Sequence, residues 1–211
     1  ESTRRAVEAA KSGAFKAEIV PVEIEGRKGD KTFVTEDDGP KNARPEKIPT
    51  LKPVFKKDGT VTAASASSIN DGAAAVVLMS AERAAREGRT PLGRIRGWGG
   101  AARAPAEFTV APADAVKALL GKLELSPKDV DLWEINEAFA VVAIANNQLL
   151  GIDARNVNVR GGAVVLGHPI GASGARLLVT LLHAMKDLGK KRGLATLCIG
   201  GGEAVAMVVE R

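Results

Sequence analysis

The sequence predicts an α/β fold: a layered domain in which helices cover a mixed sheet, with part of a loop domain attached. Three observations carry this. From residue 71 onward, short apolar runs alternate with stretches of helical periodicity. The chain closes on two apolar runs, 193–199 and 204–210, joined across Gly200-Gly201-Gly202, which reads as a hairpin. With 211 residues and 45% hydrophobic content, the chain can also bury a sizeable core.

The elements follow in order. Residues 3–16 place Ala6, Val7, Ala10 and Ala14 at roughly helical spacing. Residues 17–24 alternate and are rich in Val and Ile, which predicts a strand, with Pro21 marking a sheet edge. Residues 25–53 are polar, with many Gly, Pro, Lys and Asp, and read as a surface excursion. Residues 59–72 are dense in small side chains, which allows a ligand or another backbone to come close. The continuous apolar run 73–79 reads as a buried strand. Ser80 then caps a short helix, 81–87, stopped at Gly88. Residues 92–102 are strand-like, interrupted by glycines. Pro112 opens a helix reaching about Lys122. Ser126-Pro127-Lys128-Asp129 starts one short helical turn. A buried strand is expected at 131–135, an apolar helix at 137–150, a second short strand at 156–160 and an amphipathic helix at 173–188.

Composition narrows the function. Net charge is +5, but the basic residues are scattered and many stand beside Asp or Glu. The charge reads first as a solvated surface, then as affinity for an anionic small molecule, and only last as nucleic-acid binding. Aromatics are 3% and Tyr is absent, so base-stacking platforms are scarce and no nucleic-acid partner is expected. No apolar run is long enough for a helical membrane span, so no membrane partner is expected. The single cysteine cannot form a disulfide within the chain, which fits a reducing compartment and an expected cytoplasmic location. The first residue is Glu, not Met, and helical periodicity begins at once, which suggests a fragment or a processed product.

Three residues stand out as chemistry. His168, one of two histidines, sits in Gly167-His168-Pro169-Ile170-Gly171-Ala172-Ser173-Gly174, a Gly-rich turn before a helix. An imidazole there can act as acid or base, or donate to an oxyanion; packed in a turn with both nitrogens satisfied, it would be structural. Gly171 to Gly174 could hold a phosphate through backbone N–H groups, although no Lys-Ser or Lys-Thr of a Walker loop follows. Cys198 ends an apolar strand and enters three glycines. It reads either as a small buried hydrophobe or as a base or nucleophile, its pKa lowered by a cationic or donating partner. Asn136 stands where strand gives way to helix, as an N-cap or as a holder of a catalytic water. His183, mid-helix, reads as structural.

Together these segments resemble the C-terminal half of a thiolase. Asn136-Glu137-Ala138-Phe139-Ala140, the turn at 167–174 and Cys198-Ile199-Gly200-Gly201-Gly202 match the family's motifs in order and spacing, and Asn70-Asp71-Gly72-Ala73-Ala74-Ala75 matches another. The likeness runs from about residue 1 to residue 211. It implies Claisen condensation or thiolytic cleavage of 3-ketoacyl-CoA. On this likeness Cys198 moves the α-proton of acetyl-CoA. His168 activates a second, acyl-holding cysteine and helps bind the thioester oxygen. Asn136 holds the water completing that oxyanion site, and the Gly200 N–H serves a second one. Ser67, with Ala63 in the same run, lies along the pantetheine arm, and Phe139 forms a pocket wall. No metal and no cofactor are implied; acetyl-CoA or another acyl-CoA enters as substrate.

The likeness also implies a nucleophilic cysteine and a tetramerisation loop in an N-terminal half, in the same or a separate chain. The full protein would then be a homo-oligomer, dimer or tetramer, and this chain alone inactive. On this reading residues 1–70 are the later part of a CoA-binding loop domain and 71–211 a C-terminal core domain, with an apolar face around 173–185 left exposed. The sequence departs from the family at Ala64-Ser65-Ala66-Ser67-Ser68, where Gly-Asn-Ala-Ser-Gly is usual. It departs again at Glu203-Ala204, where Met-Gly or Gln-Gly is common. A non-catalytic CoA- or acyl-binding subunit or carrier is the alternative.

Overall fold

The computed structural model describes residues 1–211. Helix α1 (Ser2–Ser12) opens the chain and ends at Gly13 in the left-handed conformation. A hairpin follows, β1 (Val22–Glu25) with β2 (Lys31–Val34), every residue of which is exposed. Its first strand starts at Val22, not at residue 17. The N–H groups of Glu18 and Ile19 both donate to the Phe15 carbonyl, closing turns where a ladder would begin. Then come α2 (Asp38–Asn42) and α3 (Ala81–Arg86); Ser80 caps α3 through its Oγ, which accepts from the Arg83 N–H at 3.2 Å.

The core is a four-stranded mixed sheet. In chain order its elements are β3 (Arg94–Ala102), α4 (Ala111–Lys122), β4 (Leu132–Ile135), α5 (Ala140–Leu150), α6 (Ala163–Leu166), α7 (Ser173–Asp187), β5 (Arg192–Cys198) and β6 (Glu203–Glu210). The strand order is β3-β6-β5-β4. The pairings β3–β6 and β6–β5 are antiparallel, and β5–β4 is parallel. A parallel neighbour needs a long crossover, and α5 to α7 supply it.

Both faces of β4 and of most of β5 are covered, which is why these two read as continuous apolar runs, whereas β3 and β6 keep exposed positions. Neighbouring residues go to opposite sides, as a pleat requires. Trp133, Leu194 and Val208 pack with Val116, Leu119 and Leu120 of α4. Leu132, Ala195 and Val209 pack with Leu177, Leu181, Ala184 and Met185 of α7. Leu119 and Leu181 are fully buried, and trimming either to Ala costs about 2–5 kcal/mol.

Four expectations change. The run 73–79 is neither a strand nor buried; Val77 is 85% exposed and Leu78 71%. A strand is made by its ladder, and no strand of these residues reaches this one. Residues 156–160 form no strand. A 3-10 turn at Ala154–Asn156 leads to Asn158 at φ 48°. Backbone pairing with β4 is limited to one parallel bridge, Val157 with Trp133, and the Asn158 carboxamide extends it, accepting from the Ile135 N–H at 2.8 Å and donating to the Ile135 carbonyl at 2.9 Å. Helix α5 starts at Ala140 and not at 137, because Phe139 is held extended. The apolar stripe of α7 is taken up by β4 and β5, so residues 173–185 are buried or half-buried. Among the exposed apolar side chains are those of 76–79, of Val141, Ile144 and Leu149 on α5, and of Phe55, Ile69, Trp98 and Ile170. No helix is long and apolar enough to cross a membrane.

Candidate active site

Parallel pairing of β4 with β5 matches Ile135 to Thr196 and brings both strands to an end at one sheet edge. Such C-terminal ends are where α/β sheets gather their chemistry. Asn136 is the first residue past β4, and its N–H donates to the Thr196 carbonyl at 3.0 Å. Cys198 is the last residue of β5. Asn136 does not cap α5, because the chain stays extended through Phe139, which takes the N-cap position. Its side chain is fully buried, with Nδ2 3.4 Å from His168 Nε2. The Asn136 Oδ1 is buried without a protein partner.

Besides Asn136, two contacts hold His168. Its N–H donates to the Ser68 carbonyl at 3.0 Å. Its Nδ1 lies 2.5 Å from Ser173 Oγ, and Ser173 Oγ donates to the Pro169 carbonyl at 3.0 Å. A hydroxyl has one proton, and Pro169 takes it, so Nδ1 carries the imidazole proton and donates it to Ser173. The Nε2 lone pair therefore faces the Asn136 amide. Burial, and then the charge of Arg176, lower the His168 pKa, which favours the neutral ring with its lone pair on Nε2. Sequence reasoning assigned Ser173 only to the helix start. Its signal was a hydroxyl in the first turn after a Gly-rich loop, five residues from the histidine. That helix start is a poor anion site: the Ala172 and Ser173 N–H groups both donate to the Pro169 carbonyl.

Cys198 is 8% exposed and free. Burial pushes its thiol pKa up, against the lowering expected from a cationic or donating partner. No hydrogen bond joins it to His168 or Asn136; the shared sheet edge does. Beyond it, the Ile199 N–H donates to the Glu203 carbonyl at 2.8 Å, closing a turn through Gly201 and Gly202 at φ 102° and 103°. Gly200 is exposed in that turn, in open space, with its N–H free of protein partners.

The small-residue run is sewn to this edge. The Ser67 N–H and Oγ both donate to the Ala138 carbonyl, at 3.0 and 2.9 Å. The Ala140 N–H donates to the Ser65 carbonyl at 2.8 Å, and Ala66 bridges Phe139. Gly167, at φ 89°, lets Asn70 lie where a side chain would stand. Ser67, Phe139 and His168 thus share one neighbourhood, while Ala63 sits exposed in the turn before them. The Phe139 ring meets Phe55 and Phe108 edge-on, with centroids 6.3 and 6.5 Å away. A cleft of about 600 Å³ opens beside the histidine turn, between Asn70–Ala74 and Pro169–Ala172. His168, Asn136 and Cys198 do not line it.

Comparison with known proteins gives the family. "Thiolase, C-terminal domain" matches residues 89–211, and "Thiolase, N-terminal domain" matches residues 1–82. An acetyl-CoA acetyltransferase of Yarrowia lipolytica is 54% identical over 211 residues, covering all of this chain and 52% of that protein. One of Escherichia coli is 53% identical, covering 100% of this chain and 53% of its own length. The Bacillus anthracis acetyl-CoA acetyltransferase structure superposes with TM-score 0.95 at 44% identity, over 99% of this chain and 53% of that one. An Ascaris suum thiolase, solved in complex with coenzyme A, gives TM-score 0.86 at 44% identity, over 100% and 53%. The chain spans about half the length of the relatives it matches.

Proposed function

The chain belongs to the thiolase family, and on that premise we propose that it supplies the acid–base and oxyanion-site half of an acyl-CoA acyltransferase. The reaction joins or splits 3-ketoacyl-CoA by Claisen chemistry. The observation that carries this reading is the Asn136–His168 contact at the sheet edge where Cys198 ends β5. The names of the relatives support acetyl-CoA as substrate, and the Ascaris complex supports coenzyme A as the carried group.

Cys198 is the only cysteine of the chain, so on this reading the acyl-holding thiol comes from residues outside it. His168 takes that thiol's proton on Nε2. As imidazolium it then presents Nε2–H to the thioester oxygen, with a water held at Asn136 beside it. Cys198 gives its thiol proton to the departing coenzyme A thiolate, and as the thiolate so formed takes the α-proton of the second acetyl-CoA. The acyl-holding thiolate released on condensation recovers its proton from His168, and the reverse direction retraces these transfers. The free N–H of Gly200 serves the second developing oxyanion. Ser67 and Ala63 line the pantetheine arm, and Phe139 walls the acyl pocket. The chain by itself turns over neither direction, and the whole protein works as a dimer or tetramer with an N-terminal half of its own fold.

The test is incubation with acetyl-CoA, denaturation, and intact-mass measurement with peptide mapping, on the protein at its natural length. Acetyl on a cysteine outside these residues, with Cys198 free, supports the roles given. Acetyl on Cys198 makes it the acyl carrier and overturns them. Binding of coenzyme A with no acetyl transfer supports a non-catalytic carrier instead.

A further inference from the structure

Arg176 and Glu134 lie outside the reacting groups yet tie together the two elements that present them. Glu134 is on β4, two residues before Asn136, and is 1% exposed. Arg176 is on α7, three residues after Ser173, which holds His168. Arg176 Nη1 meets Glu134 Oε2 at 3.3 Å, with 19% and 1% of the two side chains exposed. The Nε and Nη2 of Arg176 are buried without partners, so this guanidinium is held by one carboxylate and fills few of its donor sites. Such a pair adds little to stability alone, because the cost of desolvating both charges offsets their attraction.

We propose that Arg176 is a positioning residue for the reaction above: braced on Glu134, it fixes the first turn of α7 against the end of β4, and so sets the His168–Asn136 contact while keeping a positive charge one helical turn from Ser173, which holds the imidazole. This rests on the acyltransfer reading for its kinetic consequence but not for its effect on His168. The charged groups around the pair are few. From the N-terminal segment, Glu18 and Asp37 feel Arg176, and Glu137 faces Glu134. Arg160, paired with Asp187, faces Glu18. For His168, Arg176 is the charge that counts.

The test uses the protein at its natural length, with ¹³C-labelled histidine and the His168 signal assigned by its loss in His168→Asn. In Arg176→Gln the His168 titration midpoint moves up, and the acid limb of the kcat profile moves up with it. In Arg176→Lys the charge stays and the fork is lost. The midpoint then stays near wild type, while kcat falls roughly ten- to a hundredfold with little change in KM. Glu134→Gln keeps the charge but removes the brace, and matches Arg176→Lys. A merely structural ion pair predicts equal loss in all three variants with the His168 midpoint unmoved, and that result overturns the proposal. A shifted midpoint in a protein that transfers no acetyl group upholds it and overturns the acyltransfer reading alone.

Discussion

Asn136 Nδ2 lies 3.4 Å from His168 Nε2, and neither residue owes its place to the other's element. Asn136 is set by its N–H bond to Thr196, and His168 by Ser68 and Ser173. The Asn136 Oδ1 is buried without a protein partner, which leaves it free to accept from a bound water or ligand. Asn136→Ala is expected to lower kcat roughly 10²- to 10³-fold, with KM for acetyl-CoA nearly constant, in steady-state assays of the protein at its natural length. An unchanged kcat removes Asn136 from the chemistry.

Ser173 fixes which nitrogen of His168 carries the proton. Ser173→Ala strips the acceptor from Nδ1–H and is expected to cost about 1–3 kcal/mol in urea unfolding. The more telling measurement is ¹⁵N NMR of the imidazole. The wild type shows one Nδ1–H tautomer, and the variant a mixture of two. Retention of a single tautomer would show that Asn136 alone sets the ring.

The Cys198 thiol, raised by burial, is protonated at neutral pH. Peptide mapping after iodoacetamide treatment should find Cys198 alkylated slowly at neutral pH, with the rate climbing only above about pH 9. Rapid labelling at neutral pH would mean a thiolate at rest.

Glu134 bears on stability against pH. Burial raises its pKa from 4.5 to about 7, although Arg176 pulls it down. The native state then holds this proton more tightly than the unfolded chain, so stability is full below about pH 4.5 and falls as pH rises through about 7. Glu134→Gln is neutral throughout. Its urea midpoint, relative to wild type, should therefore rise between about pH 5 and about pH 8. A gap that stays flat over that range would show Glu134 ionised throughout by its partner.

The elements that bury both sides of a periodic pattern were legible in the sequence. Pro112 and Lys122 bracket α4 as the spacing predicts, Ser126-Pro127-Lys128-Asp129 forms its capped turn, and β5 and β6 pair across the glycines. Those whose form depends on a distant neighbour were not. Residues 73–79 have the composition of a strand and no strand beside them. Asn158 extends a single bridge with one side chain, which no periodicity records. At the site, the motifs marked His168, Asn136 and Cys198, and the structure adds Ser173 and the Glu134–Arg176 brace. Those partners meet across 5 to 42 residues of sequence separation, and only folding brings their chemistry together.

The stitch between residues 65–68 and residues 138–140 and 168 carries a consequence for how the chain reaches its native state. These bonds close loops of roughly 70 to 100 residues, so their entropy is lost before any contact repays it. The hairpin of β5 and β6 has partners close in sequence, so these bonds are expected to form after it and to open before it. In native-state hydrogen exchange, the amides of Ser67, Ala140 and His168 belong to a unit that unfolds at lower free energy than β5. The edge that carries His168 and Asn136 is then expected to open while the β5–β6 pairing stays closed.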